Sequence, residues 1–237
     1  MKFIAISDIH GNVEAVRGLR DRERNEFEAV IVAGDIGGEA ATSIMEILAS
    51  FACPVMYVFG NWDRQLPYGS DIGANCHHLH LRSVVCGGWA FAGFSGLPMS
   101  WGMNPIAARL RQKAERKLHS VSPDSVEYLN GLRAAGKEAE RLNRSMLVET
   151  IKRSQLGADR TIVVTHERLF RTEDDLRAVP LFLFGHRHGF KSSTFKGATF
   201  VNVSALDDGN YAVIEVGGDR IQAAPFRLPN GSGRGPP

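Results

Sequence analysis

The stretch Phe3-Ile4-Ala5-Ile6-Ser7-Asp8-Ile9-His10-Gly11-Asn12 decides how this chain is built. Phe3 to Ser7 is a short, almost wholly apolar run, which predicts a buried strand. It ends directly at Asp8 and His10, two residues apart on extended chain and so pointing the same way. The pattern returns further along. Ala29-Val30-Ile31-Val32-Ala33 runs into Gly34-Asp35, and Val55-Met56-Tyr57-Val58-Phe59 runs into Gly60-Asn61-Trp62-Asp63. Thr161-Ile162-Val163-Val164-Thr165 runs into His166, and Leu181-Phe182-Leu183-Phe184 runs into Gly185-His186-Arg187-His188. Each strand delivers a polar side chain at its carboxyl end, which is where open α/β sheets place their sites. A glycine directly precedes Asp35, Asn61 and His186. Glycine permits the turns and close backbone approach that gather such groups.

Asp8, His10, Asp35, Asn61, His166, His186 and His188 make two carboxylates, one amide and four imidazoles. These oxygen and nitrogen donors suit Mn²⁺, Fe, Zn²⁺ or Co²⁺, and no thiolate joins them. Manganese is the favoured choice, on availability rather than intrinsic affinity. Two divalent ions would bring +4 and the carboxylates −2, leaving a net +2 well for a phosphate group. Ions roughly 3.5–4 Å apart can clamp the attacking and leaving oxygens of an in-line displacement, so the expected cofactor is two divalent metal ions and the expected chemistry hydrolysis at phosphorus.

These blocks, in this order, resemble the calcineurin-like metallophosphoesterases, whose pattern is D-x-H, GD, GNH[D/E], H and GHxH; the match runs from residue 3 to about residue 216. The resemblance implies a four-layer αββα sandwich, two mixed sheets flanked by helices. It implies that Asp8, His10, Asp35 and His188 hold one metal, and that Asp35, Asn61, His166 and His186 hold the other, with Asp35 bridging. Asp35 and Asn61 would act in catalysis, and Asp63 would orient the ligands from behind. The implied activity is metal-dependent hydrolysis of a phosphomonoester or phosphodiester by activated water, without a covalent intermediate. A nuclease is an alternative, as is a binding module that keeps the fold without catalysis, like the retromer subunit that is similar to these enzymes. The chain departs from the pattern at Trp62, where the family usually has the His of GNHD. That puts the general acid in doubt. Trp62 reads either as core packing with its N–H bonded or as a pocket wall that stacks on a flat group. Arg64 and Arg187 flank ligand blocks and are candidates to clamp phosphate oxygens, although Arg187, between two inward-facing histidines, could equally point away.

The rest of the chain fits an α/β enzyme. Val13, Val16 and Leu19 predict a helix after His10-Gly11-Asn12, and Thr42–Phe51 predicts a second with Ile44, Ile47, Leu48 and Phe51 buried. Further strands are expected at His80–Val85, Trp89–Phe94, Phe200–Val203 and Tyr211–Val216, and Asp207-Asp208-Gly209-Asn210 reads as a hairpin turn. Between Asn104 and Ser154 the composition changes: residues 105–153 hold eleven Lys or Arg against six Asp or Glu, a net +5, whereas residues 1–104 hold seven against eleven, a net −4. Arg109, Arg111, Lys113, Arg116 and Lys117 share one helical stretch with Ile106, Leu110, Ala114 and Leu118. A second stretch, started by Ser122-Pro123-Asp124, carries Leu129, Leu132, Leu142, Met146, Leu147 and Ile151. This predicts an inserted helical hairpin, to be read as a substrate cap, a dimer surface or a solvated outer layer. Cys76-His77-His78-Leu79-His80 has the composition of a metal cluster but is expected to be only the turn before a strand.

At 237 residues and 43% apolar, the chain is expected to form one domain over residues 1–228, with a disordered tail at 229–237. Cys53, Cys76 and Cys86 are an odd number without paired spacing, so no disulfide framework is expected and a reducing cytoplasm is the natural setting. No apolar run approaches the 18 or so residues that span a bilayer, so no membrane partner is expected. The expected partner is a phosphate-ester substrate, with nucleic acid left open. The chain has no G-x-x-x-x-G-K-[ST], G-x-G-x-x-G or G-x-S-x-G, which argues against nucleotide-triphosphate motors, dinucleotide enzymes and serine hydrolases.

Overall fold

The computed structural model describes residues 1–23, 27–96, 104–169, 176–218 and 220–229. Two mixed six-stranded sheets face each other. The first is built around β1 (Lys2–Ile6), β2 (Ala29–Ala33), β3 (Val55–Val58) and β4 (Cys76–His78), all parallel in that order. The second is built from β5 (Ser83–Cys86), β6 (Trp89–Phe94), β7 (Thr161–Thr165), β8 (Leu181–Phe184), β9 (Lys191–Phe195) and β10 (Ala198–Asn202). There β6, β7, β8 and β10 are parallel, while β5 and β9 close the edges antiparallel. β11 (Asn210–Gly217) and β12 (Arg220–Arg227) then return to the first sheet, antiparallel beside β1.

The alternation of strand side chains separates the layers. In β1, Ile4 and Ile6 face α1 (Val13–Arg22) and α2 (Ala41–Ala49), whereas Phe3 and Ala5 face the second sheet. The outer face of the second sheet is covered by Leu147, Val148 and Ile151 of the long helix of an inserted pair, α3 (Pro105–Lys117) and α4 (Val126–Lys152). This is the expected four-layer αββα order. Asn104 caps α3 with Pro105 in its first turn. Ser125, not the expected Ser122-Pro123-Asp124, caps α4, its hydroxyl accepting from Tyr128 N at 3.1 Å.

Several local expectations are corrected. His80–Val85 is not one strand: β4 ends at His78 and β5 begins at Ser83 in the other sheet, with Leu81 at φ 53 turning the chain between them. Cys76 to His78 is itself a strand, so His77 and His78 point to opposite sides, and this run forms no donor group among the described residues. Asp207 to Asn210 is a turn but no hairpin, because it carries the chain from β10 in one sheet to β11 in the other. In α2 the buried stripe is Ala41, Ile44, Met45 and Leu48, with Ile47 and Phe51 only half-buried. In α4, Leu129 and Met146 are exposed, and the buried face is Gly136, Ala139, Asn143, Leu147, Val148 and Ile151. The expected disordered tail lies outside the described residues from 230 onward.

Candidate metal centre

The carboxyl ends of β1, β2, β3, β7 and β8 converge on one place. The loops after β1 and β2 are knitted by their backbones: Asp8 N donates to Gly34 O at 3.0 Å, and Ile9 N and His10 N both donate to Asp35 O, at 2.8 and 3.0 Å. The loop after β8 docks on β1, His186 N donating to Asp8 Oδ2 at 3.0 Å. Asp8, His10, Asp35, His186 and His188 all have positive φ, between 50° and 70°. Non-glycine residues rarely adopt that region, and its cost is tolerated where the surroundings over-determine the conformation.

The glycines before the ligands are required by close approach. A Cβ on Gly60 would stand 2.1 Å from Asp35 Oδ1, one on Gly34 2.5 Å from His166 Nδ1, and one on Gly185 2.8 Å from Asp8 Oδ2. Bare backbone therefore lies directly against the donor side chains.

The donors meet as follows. Asp35 Oδ2 lies 3.4 Å from His10 Nε2 and 3.3 Å from His166 Nε2, so a single oxygen faces imidazoles from both halves of the site. Its Oδ1 accepts from Trp62 N at 2.9 Å. His166 Nε2 also lies 3.1 Å from Asn61 Oδ1. Its Nδ1 sits 2.8 Å from Ala33 O, so Nδ1–H donates to that carbonyl and the neutral ring keeps its lone pair on Nε2, toward the site. His188 Nε2 and His10 Nε2 are 3.5 and 4.0 Å from Asp8 Oδ1. Asp8, His10 and His188 form one potential metal-holding group, and Asp8, Asp35 and His166 another. His186 belongs to neither; its ring stands edge-on to His166 at 5.2 Å, and its Nε2 faces Glu167 at 3.6 Å.

Asp8 Oδ1 is the test of whether cations fit. It is buried and accepts no hydrogen bond among the described residues. A buried carboxylate oxygen left unpaired is costly, and a cation among Asp8, His10 and His188 would satisfy it. The hard and borderline donors of both groups suit divalent ions. Electrostatics agree. Burial would raise the Asp35 carboxyl, but hydrogen bonds to His10 and His166 outweigh it and hold the group well below the usual carboxylate range. Burial would lower His10 and His166, yet the partnership with Asp35 raises both. Asp35 is thus a carboxylate kept charged in a nearly dry place.

Asp63 stands behind this set, where its sequence position implied an orienting role. It is buried, accepting from Gly60 N at 2.8 Å and Gly37 N at 2.9 Å, and burial raises its carboxyl despite those bonds. It ties the Asn61 loop to the loop after β2. Trp62 is not core packing: its side chain is 58% exposed and its ring centroid is 4.7 Å from that of His10. The side chains of Arg64 and Arg187 are exposed and make no hydrogen bond or ion pair to another described residue.

Sequence reasoning missed two residues. Asp207 Oδ2 lies 3.7 Å from His10 Nδ1, and Asp207 Oδ1 is held by Asn12 Nδ2 at 2.8 Å. Asn12 also caps α1 through Ala15 N. Glu167 faces His186 in the same manner. A carboxylate behind an imidazole is the usual support for a histidine ligand, which is the signal that could have prompted a search for both.

A model of the calcineurin-like phosphoesterase superfamily domain matches residues 1–216. The chain belongs to this superfamily. Divalent metals are used within this superfamily, and the Asp and His groups described above could hold such an ion. The superfamily fold is also found in TT1561 of Thermus thermophilus, 15% identical, with 94% of this chain and 97% of that one covered and a TM-score of 0.57. A second similar structure is the phosphopantetheinyl hydrolase PptH of Mycobacterium tuberculosis, 16% identical, covering 86% and 89% of the two chains at a TM-score of 0.50. At such identities these likenesses show the fold alone. No curated protein sequence matches the chain.

Proposed function

We propose that this protein hydrolyses a phosphate ester, monoester or diester, at a centre of two divalent metal ions. The observation that carries the reading is the pairing of Asp35 Oδ2, between His10 and His166, with the unpartnered buried Asp8 Oδ1. Asp8, His10, Asp35 and His188 would hold one ion, and Asp35, Asn61, His166 and His186 the other. The chemistry such ions supply when bound is neutralisation of phosphate charge and acidification of a water molecule. Manganese is the ion we favour, with Fe, Zn and Co as alternatives.

The remaining work falls to this chain's own groups. Asp35 keeps its negative charge because two imidazoles face it, so it stays a ligand rather than a proton donor at neutral pH. The bond from Trp62 N fixes its other oxygen. Asp207 and Ala33 O set the orientation of His10 and His166. Asp63 locks the Asn61 loop. Arg64 and Arg187, exposed beside the ligand blocks, would take phosphate oxygens. The indole of Trp62 is no acid at neutral pH, so a departing oxygen gets no proton from that position. This favours esters with acidic leaving groups, since a positioned acid contributes typically about 10²–10⁴-fold where the leaving group is basic.

Nucleic acid is a second substrate reading, favoured by the exposed Arg109, Lys113, Arg116 and Lys117 on α3. A purely binding role is disfavoured, because a scaffold has no use for an orphaned buried carboxylate oxygen. Three free thiols fit the reducing cytoplasm we assign to it, and among the described residues no helix is long and apolar enough to cross a membrane. The test is a panel of aryl phosphomonoester, aryl phosphodiester, cyclic nucleotides, dinucleotides, DNA and RNA assayed with Mn²⁺. Hydrolysis of at least one that is lost with Asp35→Ala is expected; no turnover of any would refute the reading.

A further inference from the structure

Trp62 is an anomaly in energetic terms. Large aromatic side chains gain most by burial, yet this indole is 58% exposed. The position is not loose. Its backbone N–H is bonded to Asp35 Oδ1, and the next residue, Asp63, is buried and held by two backbone N–H groups. The ring leans on His10, with centroids 4.7 Å apart and planes tilted by 40°, and His10 in turn lies 5.2 Å from His188. The backbone is thus fixed to the candidate metal centre while the indole leaves much of its surface to solvent. Among the described residues no aromatic ring other than His10 packs on it.

We propose that Trp62 is a stacking platform that selects phosphate esters carrying a planar aromatic group next to the scissile phosphate. This rests on the proposed phosphoesterase function and deepens it. The chemistry is a flat, uncharged π face held beside the place where phosphate oxygens would bind. Such a face rewards a planar ring over an aliphatic group of equal size. Aryl groups and nucleobases share that planarity and are separated by the test. The competing role for the indole is a lid that only shields His10, and that role would not sort substrates by planarity.

The test uses the full chain loaded with Mn²⁺ and diesters that all release p-nitrophenolate but differ in the retained group: benzyl, cyclohexylmethyl and adenosine 5′-yl. Because the leaving group is constant, the ratio of kcat/KM between esters reads recognition. The benzyl-to-cyclohexylmethyl ratio should exceed 1 in the wild type. Base stacking of about 1–3 kcal/mol corresponds to a preference of roughly 5- to 150-fold for the adenosyl ester. Trp62→Leu should bring both ratios close to 1, and Trp62→Phe should keep most of the preference. A preference for adenosyl alone would assign the platform to nucleobases, and one for both planar groups to aromatic rings in general. If Trp62→Leu lowers all three esters by the same factor, or leaves the ratios at wild-type values, the proposal is wrong while phosphoesterase activity stands. If no ester is turned over, the function fails instead. Quenching of tryptophan fluorescence by AMP but not by ribose 5-phosphate, absent in Trp62→Leu, then decides the platform, and equal quenching in both proteins overturns it.

Discussion

Gly60→Ala puts a strict demand on the geometry of the centre. The new Cβ would stand 2.1 Å from Asp35 Oδ1 and 2.6 Å from Asp35 N, well inside ordinary contact on both counts. Neither neighbour yields cheaply. Asp35 N is backbone, and Oδ1 is held by Trp62 N while Oδ2 faces His10 and His166. Relief therefore means swinging the carboxylate away from its partners. Overpacking in a tight place costs about 1–3 kcal/mol, and a hydrogen bond to a charged group is worth about 1.5–3 kcal/mol. We expect Gly60→Ala to lose about 3 kcal/mol or more in urea unfolding with EDTA present, and to lose most Mn²⁺-dependent activity because the displaced carboxylate is the one we propose as the shared ligand. Gly217→Ala is the control: no atom lies within 4 Å of its added Cβ. Wild-type stability and activity in Gly60→Ala would refute the close approach of this loop to Asp35.

The other expectations can be measured with the same protein. Asp207→Asn should weaken metal affinity or activity by about 10–100-fold without moving the urea midpoint much, since it removes the carboxylate behind His10; an unchanged Mn²⁺ titration would remove Asp207 from the site. Burial depresses His78 to about 3 and His80 to about 4, so both stay neutral in the folded protein long after they would protonate near pH 6.5 unfolded. Unfolding then takes up protons, and stability present above pH 6.5 should fall toward pH 4 by up to about 1.4 kcal/mol per pH unit for each imidazole. His10 and His166, shifted upward, exchange protons on folding mainly above that window. The slope should shrink in His80→Gln, and an equal slope in both proteins would contradict this. Replacing the exposed Arg109, Lys113, Arg116 and Lys117 by Gln should raise KM for a polyanionic substrate and flatten its salt dependence while leaving a small aryl ester unaffected; Arg111 is left alone because it is already paired with Glu115 at 2.8 Å.

Much of this architecture was legible because the informative residues sit where apolar runs stop. Phe3–Ser7, Ala29–Ala33, Val55–Phe59, Thr161–Thr165 and Leu181–Phe184 are buried on both faces, so their sequences are continuous and their ends sharp. What stayed hidden has physical reasons. β9 and β12 are exposed edge strands, Lys-Ser-Ser-Thr-Phe and Arg-Ile-Gln-Ala-Ala-Pro-Phe-Arg, with no apolar run to announce them. The break between β4 and β5 rests on Leu81 in a left-handed conformation, with no glycine to mark it. Asp207 reaches His10 from a distant turn between two sheets, and no local pattern encodes that meeting. Trp62 could not be placed in core or pocket from sequence because its apolarity fits either; its exposed ring rules out the core.

The central claim is that these side chains hold two divalent ions with Asp35 shared between them. Equilibrium titration of the chelator-stripped protein with Mn²⁺, read as bound ions per chain beside aryl-ester hydrolysis, tests it most directly. The account predicts two ions per chain in the wild type, activity that appears only as they bind, and loss of both in Asp35→Ala. Full hydrolysis by the stripped protein, or wild-type stoichiometry in Asp35→Ala, would contradict it.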